Sequence, residues 1–201
     1  MRFFRALTSG FILLVVVAAG GLYLLLGGTT RGVIETEVGT IVIEFFPHDA
    51  PNHVKNWKKL ARTGFYDGTT FHRVVPGFMI QGGDPNSKDD DPRNDGSGGP
   101  GWYLEAEFNN RQHVRGIVSM ARSISVNSAG SQFFICLANL PRLDGQYTVF
   151  GRVVEGMDTV DAIVGRPKDP GNPERPLRPL PMTKVYLSTI YSLPFIGEFS
   201  F

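Results

Sequence analysis

Apolar and polar residues alternate along much of this chain with the two-residue period of β-strands. Val33 to Val38 and Thr40 to Phe45 are rich in β-branched residues and meet at Gly39, which predicts a strand pair. A break at Pro76-Gly77 separates two more strand-like runs. Further strands are predicted over Gly116 to Ala121, Gln132 to Ala138, Tyr147 to Val154 and Thr183 to Ile190. This spacing is typical of a mainly β domain.

Two segments follow the helical period instead. Apolar residues three and four apart predict an amphipathic helix that begins near Pro51 and ends near Arg62, and a second that Pro167 ends. The apolar faces are Val54, Trp57, Leu60 and Ala61 in the first helix and Met157, Val160, Ile163 and Val164 in the second. Many short strands with two helices predict a closed antiparallel barrel capped by the helices.

Two long segments show neither the strand period nor the helical period. Asn86 to Gly101 is polar and glycine-rich, and Arg166 to Pro181 holds six of the fourteen prolines, so both are predicted to be loops. The first contains the letters G-x-G-x-x-G, but neither the preceding strand nor the following helix of a dinucleotide site. Its aspartates do not have the spacing of an EF-hand, and the four histidines lack metal-ligand spacing. We therefore expect no cofactor and no metal.

The amino terminus differs from the rest of the chain. Phe11 to Gly28 is uncharged and near the ~20 residues that an apolar helix needs to span a bilayer. We predict a signal anchor over residues 1–30 and a folded domain over residues 31–201. Arg2 and Arg5 would keep the amino terminus cytoplasmic, so the domain would lie on the extracytoplasmic side. The alternative is a cleaved signal peptide and a secreted or periplasmic protein.

Charge and cysteine content limit the binding partners and cross-links that we expect. The formal net charge is +1, and without Arg2 and Arg5 the remainder is close to neutral, so no nucleic-acid partner is expected. Cys136 is the only cysteine, which excludes an intrachain disulfide. Its apolar surroundings predict a small buried hydrophobic residue. We expect a monomer.

Three blocks carry the most specific signal. They are F-H-R-V-V-P-G-F-M-I-Q-G-G-D (Phe71 to Asp84), S-A-G-S-Q-F-F-I-C (Ser128 to Cys136) and L-D-G-Q-Y-T-V-F-G (Leu143 to Gly151). In this order and at these separations they resemble the cyclophilin family of peptidyl-prolyl cis-trans isomerases, and the likeness extends from about Val33 to Ile190. The resemblance implies an eight-stranded barrel with a helix over each open end, and proline-containing polypeptides as substrates.

The resemblance also assigns the site. The catalytic positions that it implies are Arg73 and Gln81, and the glutamine is implied to hold the arginine and a substrate carbonyl. The substrate-binding positions that it implies are His72, Phe78, Met79, Ala121, Arg122, Gln132, Phe134, Leu143 and Tyr147. Such chemistry needs an apolar slot for the proline ring and a fixed cationic donor, but neither a nucleophile nor a metal. The sequence shows no recognisable nucleophile and base for a hydrolase.

Two positions and one segment depart from the pattern of many eukaryotic members. Arg142 replaces a tryptophan that helps to bind the drug cyclosporin, so weak drug binding is expected. Tyr147 replaces a histidine, and Ser123 to Asn127 replace a glycine- and proline-containing turn. Two function classes stay open: an isomerase that assists the folding of exported proteins, or a module that binds proline-containing peptides with little turnover. The presence of Arg73 favours the enzyme.

Overall fold

The computed structural model describes residues 28–193 and 197–200. The predicted strands are confirmed, with shifts of a few residues at their ends. The eleven strands among these residues are β1 (Thr29–Thr36), β2 (Gly39–Phe45), β3 (Arg73–Val75), β4 (Met79–Gly82), β5 (Ile117–Met120), β6 (Phe133–Cys136), β7 (Val149–Glu155), β8 (Lys168–Asp169), β9 (Asn172–Pro176), β10 (Met182–Leu193) and β11 (Gly197–Ser200).

The prediction of a closed barrel is wrong. Within residues 31–187 eight strands form a curled half-barrel in the order β10-β1-β2-β7-β5-β6-β4-β3, and its end strands, β10 and β3, do not pair in the part of the chain that is described. A few backbone bonds link the two ends instead: Gly68 N–H donates to Met182 O (2.8 Å), and Met182 N–H donates to Thr69 O (2.7 Å). Proline is frequent just before β10 and lacks an N–H donor, so a continuous ladder cannot form there.

Both predicted helices are present. Helix α1 (Pro51–Arg62) buries its four predicted apolar residues, and helix α2 (Met157–Val164) buries Val160 and Ile163. No side chain caps α1 locally. Glu107, distant in sequence, accepts hydrogen bonds from the backbone N–H groups of Asn52 and His53, both at 3.0 Å. A carboxylate at this helix end satisfies donors that would otherwise lack partners.

Alternation along β4 and β6 separates two cores. Phe133 and Ile135 point into the main core around Trp57, whereas Phe134 and Cys136 point into a smaller cluster on the other face of the sheet. Successive side chains of a strand lie on opposite faces, so one strand supplies both. The prediction for Cys136 is confirmed: it is fully buried, and burial raises the pKa of its thiol to about 12.

Of the two predicted loops, only the second contains β-strands. Asn86 to Gly101 is irregular beyond a short 3₁₀ turn at Pro85–Lys88, as predicted. The proline-rich segment is not purely a loop, because β8 and β9 form a small antiparallel hairpin there. Asp169 stabilises its turn by accepting from Gly171 N–H (2.7 Å) and by pairing with Arg175.

Beyond residue 187, β10 continues to Leu193 and pairs antiparallel with β11, which the sequence did not predict. The predicted signal anchor lies almost entirely in residues 1–27, outside the described residues. Among the residues that are described, no helix is both long and apolar enough to cross a bilayer.

Candidate active site

Strand register brings the first site residues into one row. Arg73 of β3 lies opposite Gln81 of β4, Gln81 lies opposite Phe134 of β6, and Phe134 lies opposite Ser119 of β5. Residues directly opposite in antiparallel strands share a face and contact each other. The alternation that buries Phe133 in the main core therefore places Arg73, Gln81 and Phe134 together on the other face.

This row borders a small open cavity of about 110 Å³, which we call the proline cavity. It is lined by Arg73, Phe78, Met79, Gln81, Ala121, Arg122, Phe134, Leu143 and Tyr147. All nine are among the predicted site residues. The structure thus brings nine of the eleven predicted residues around one cavity: seven come from the three sequence blocks, and Ala121 and Arg122 lie between the first two blocks.

The floor of the proline cavity is apolar and buried. Met79, Phe134 and Leu143 are all buried, and the ring of Tyr147 meets Phe134 edge to face, with centroids 5.7 Å apart. Such aromatic pairs favour one geometry beyond simple burial. At the rim the guanidinium of Arg142 lies 4.7 Å from the Phe78 ring centroid. A cation–π contact therefore occupies the place where the family resemblance implies an indole.

A series of hydrogen bonds made by side-chain amides orients Gln81. Gln132 donates from Nε2 to the carbonyls of Gly96 and Gly98, both at 2.9 Å, so its Oε1 must face Gln81. Gln81 Nε2 donates to that oxygen at 2.9 Å. Among the described residues no hydrogen bond joins Gln81 to Arg73, although the resemblance implied that this glutamine holds the arginine.

Gln132 lines a second, polar groove of about 170 Å³. The groove shares Gln81, Ala121 and Arg122 with the proline cavity, and its far side is the backbone of Gly96 to Gly99. On the side of the proline cavity, the guanidinium of Arg122 lies 4.7 Å from the ring centroid of Tyr147. Arg122 therefore separates two connected subsites.

The carboxylate of Asp84 anchors the glycine-rich loop that forms the groove. It is fully buried and accepts from the backbone N–H groups of Asn86 (2.8 Å), Gly96 and Gly98 (3.3 Å). A Cβ at position 98 would lie 2.2 Å from Asp84 Oδ1, so only glycine fits this approach. The last residue of the first sequence block thus builds the groove rather than the proline cavity.

His72 is the predicted site residue that the structure places elsewhere. It is buried beside Arg73 but lines a different cavity, together with Ser87, Asp95 and Arg175, and does not reach the proline cavity. Neighbouring residues of a strand point to opposite faces, which explains the separation. Burial lowers the pKa of His72, against the opposing effect of the Asp84 carboxylate. Its role in substrate binding is not supported by this position.

Glu174 is the site residue that sequence reasoning missed. Arg73 Nε donates to Glu174 Oε2 at 2.7 Å, and both side chains are about half exposed. Glu174 lies in β9, within the segment predicted to be only a loop. No sequence signal marked it, because it lies in the proline-rich segment and a hundred residues separate it from Arg73.

A hydrogen-bonded Ser119–His113–Asp144 series lies behind Phe134. His113 Nδ1 is 2.9 Å from Asp144 Oδ1, and His113 Nε2 is 3.1 Å from Ser119 Oγ. Ser119 and His113 are fully buried, and the serine hydroxyl donates to Thr148 O at 2.9 Å. No substrate reaches this hydroxyl, so the series supports the floor of the cavity and does not act as a hydrolase triad.

Comparison with known proteins identifies the class to which this fold and site belong. The family described as "Cyclophilin type peptidyl-prolyl cis-trans isomerase/CLD" matches residues 32–187. The chain therefore belongs to the cyclophilin-type peptidyl-prolyl cis-trans isomerases, and the predicted isomerase activity is confirmed.

Individual relatives support the same family assignment. A peptidyl-prolyl cis-trans isomerase of Synechococcus elongatus is 50% identical over 123 residues, which cover 61% of this chain and 79% of the relative. One from Arabidopsis thaliana is 38% identical over 170 residues, covering 82% and 98%. The crystal structure of a Cryptosporidium parvum cyclophilin, determined in the presence of the dipeptide Ala-Pro, matches with a TM-score of 0.70 at 33% identity, covering 78% of this chain and 97% of that one.

Proposed function

We propose that Arg73 stabilises the twisted X-Pro amide of a polypeptide whose proline ring occupies the proline cavity. The observation that carries this proposal is the position of Arg73 on the wall of a cavity with a buried apolar floor. The cavity suits a small apolar ring, and the Cryptosporidium relative studied with Ala-Pro supports a proline-containing ligand. Recognition at this cavity then depends on the proline ring of the client.

The chemistry follows from amide resonance. Rotation about the peptide bond has a barrier of ~18–20 kcal/mol, because the partial double bond must be broken. In the twisted state the nitrogen regains a lone pair, which a cationic N–H donor stabilises more than it stabilises the planar ground state. Arginine keeps its charge at all physiological pH values, and its planar fork keeps a fixed geometry. Gln81 and the polar groove would hold the residues that precede the proline.

Mutation of Arg73 tests this mechanism. Arg73→Ala should lower kcat/KM by about 10²–10³-fold, the typical effect of removing one preorganised donor. Arg73→Lys should lose most of the rate as well, since an ammonium lacks the fork. A proline isomerisation assay measures both, with circular dichroism as the control for folding. Full activity in a folded Arg73→Ala variant contradicts the mechanism.

The clients that we propose are exported proteins. This proposal depends on the apolar run Phe11 to Gly28 and on Arg2 and Arg5, which favour an anchored domain on the extracytoplasmic side. The full-length protein should then remain with membranes after a high-pH carbonate wash, and its amino terminus should be at or near Met1. A soluble product that begins near Gly20 would support the cleaved-signal alternative.

The second candidate is a proline-peptide binding module with little turnover. One observation favours it: Arg73 is already paired with Glu174, which reduces the net charge that faces the substrate. The two candidates differ in the assay above. Peptide binding with a wild-type rate no higher than that of Arg73→Ala would favour the module.

A further inference from the structure

The ion pair between Arg73 and Glu174 connects the proline cavity to a separate element of the fold. The bond is short, at 2.7 Å, and uses the Nε of the guanidinium. Among the described residues Glu174 is the only hydrogen-bond partner of the Arg73 side chain, and the Gln81 amide donates to Gln132. Both Nη groups therefore remain available to a ligand.

Hydrogen bonds and prolines constrain the backbone of the hairpin that carries Glu174. Lys168 lies opposite Pro176, and Leu177 N–H donates to Pro167 O at 2.8 Å, which closes the base of the hairpin. Glu174 N–H itself bonds the side chain of Asn172 at 3.2 Å. Prolines in such a segment reduce the freedom that the unfolded chain loses on ordering. The carboxylate is thus presented from a constrained backbone.

A carboxylate on Nε fixes the plane of a guanidinium without occupying its outer face. Arginine has five N–H donors in a rigid fork, so holding one of them orients the other four. A half-exposed arginine side chain otherwise samples several rotamers. Catalysis by a preorganised donor depends on that orientation, and misplacement by about an ångström can cost ~10²-fold in rate.

From these contacts we propose that Glu174 is a positioning residue for Arg73, an inference that rests on the catalytic role proposed for that arginine. Glu174 does not line the proline cavity, so it acts through the guanidinium and not through contact with the proline. Its loss should lower kcat and leave KM unchanged. The effect on stability should be small, since exposed ion pairs contribute little.

The test compares three variants of the full-length chain. Glu174→Gln removes the charge but keeps the shape, and Glu174→Ala removes both. Asp161→Asn is the matched control: its pair with Arg115 has a similar length (2.7 Å) and similar exposure, and it lies on α2 away from the cavity. We expect kcat to fall about five- to tenfold for both Glu174 variants, less than the ~10²-fold cost of gross misplacement. The control should stay within about twofold of wild type, as expected for an exposed pair.

Two further measurements exclude a merely structural role. In an Arg73→Ala background Glu174→Gln should cause no additional loss of rate, because coupled residues are not additive. In an NMR spectrum the Arg73 Nε–H resonance should move upfield in Glu174→Gln and keep its position in Asp161→Asn. Wild-type or increased kcat in both Glu174 variants, or an equal loss in the Arg73→Ala background, would overturn the inference. Full activity of Arg73→Ala alone would instead overturn the proposed mechanism.

Discussion

The proline cavity and the polar groove are adjacent, but the first is formed by apolar side chains and the second by loop backbone. The cavity floor is formed by side chains of regular strands and a turn, Met79, Phe134 and Leu143, packed in a small apolar cluster. The wall of the groove is loop backbone, held by the Asp84 carboxylate and the Gln132 amide. Apolar packing is cooperative and tolerant of volume-conserving exchange, whereas a buried polar network fails when one member is lost.

The largest effect should come from the cavity floor. Phe134→Ala removes the ring that contacts Tyr147 and lines the proline cavity, so we expect the free energy of unfolding to fall by about 3–5 kcal/mol. Denaturant unfolding and kcat/KM measure the two consequences. Phe134→Leu, which keeps more of the volume, should retain the fold with a smaller loss of rate. Unchanged kcat/KM in a folded alanine variant would show that the cavity does not hold the proline.

A smaller, substrate-dependent effect is expected in the groove. Asp84→Asn weakens charge-assisted bonds to three backbone N–H groups, at a cost of about 1.5–3 kcal/mol in stability. Because only the groove is disturbed, kcat/KM should fall for peptides that extend several residues before the proline and change little for short ones. Asp90→Asn, an exposed residue of the same loop, serves as the control. Equal losses for long and short peptides would contradict separate subsites.

A substitution at the rim of the proline cavity should strengthen the binding of cyclosporin. Arg142 covers Phe78 where the family resemblance implies a tryptophan, so cyclosporin should inhibit this protein weakly. Arg142→Trp should improve inhibition about tenfold, through an aromatic contact and an indole N–H donor. Its activity on peptides should change less than about twofold, because the substitution adds no group that faces the reacting amide. Tight inhibition of the unmodified chain would contradict this prediction.

The smallest effect concerns pH. Burial lowers the pKa of His72, next to the groove anchor Asp84, and also that of His53. Below the unfolded pKa of about 6.5 the unfolded chain then binds more protons than the native state. Stability should be complete above that pH and should decrease as the pH falls below it. The melting temperature between pH 7.5 and 5.5 measures this slope, which His72→Gln should reduce but not remove, since His53 remains. An unchanged slope in that variant would exclude His72.

The sequence by itself determined the apolar side of the site. The two-residue period identified the strands that carry Gln81 and Phe134, and helical spacing identified the apolar faces of α1 and α2, because both signals are local periods of the backbone. The block resemblance supplied the roles, and all nine residues of the proline cavity were predicted.

Only the tertiary structure decided the polar contacts. Glu174 reaches Arg73 across 101 positions, Glu107 caps α1 from 55 positions away, and Gln81 bonds Gln132 across 51. Hydrogen bonds between such distant groups leave no period in the sequence, since any carboxylate or amide in the right place satisfies them. The open half-barrel has the same origin: strand pairing at the sheet ends depends on which backbone N–H groups meet, and prolines before β10 remove donors at that edge.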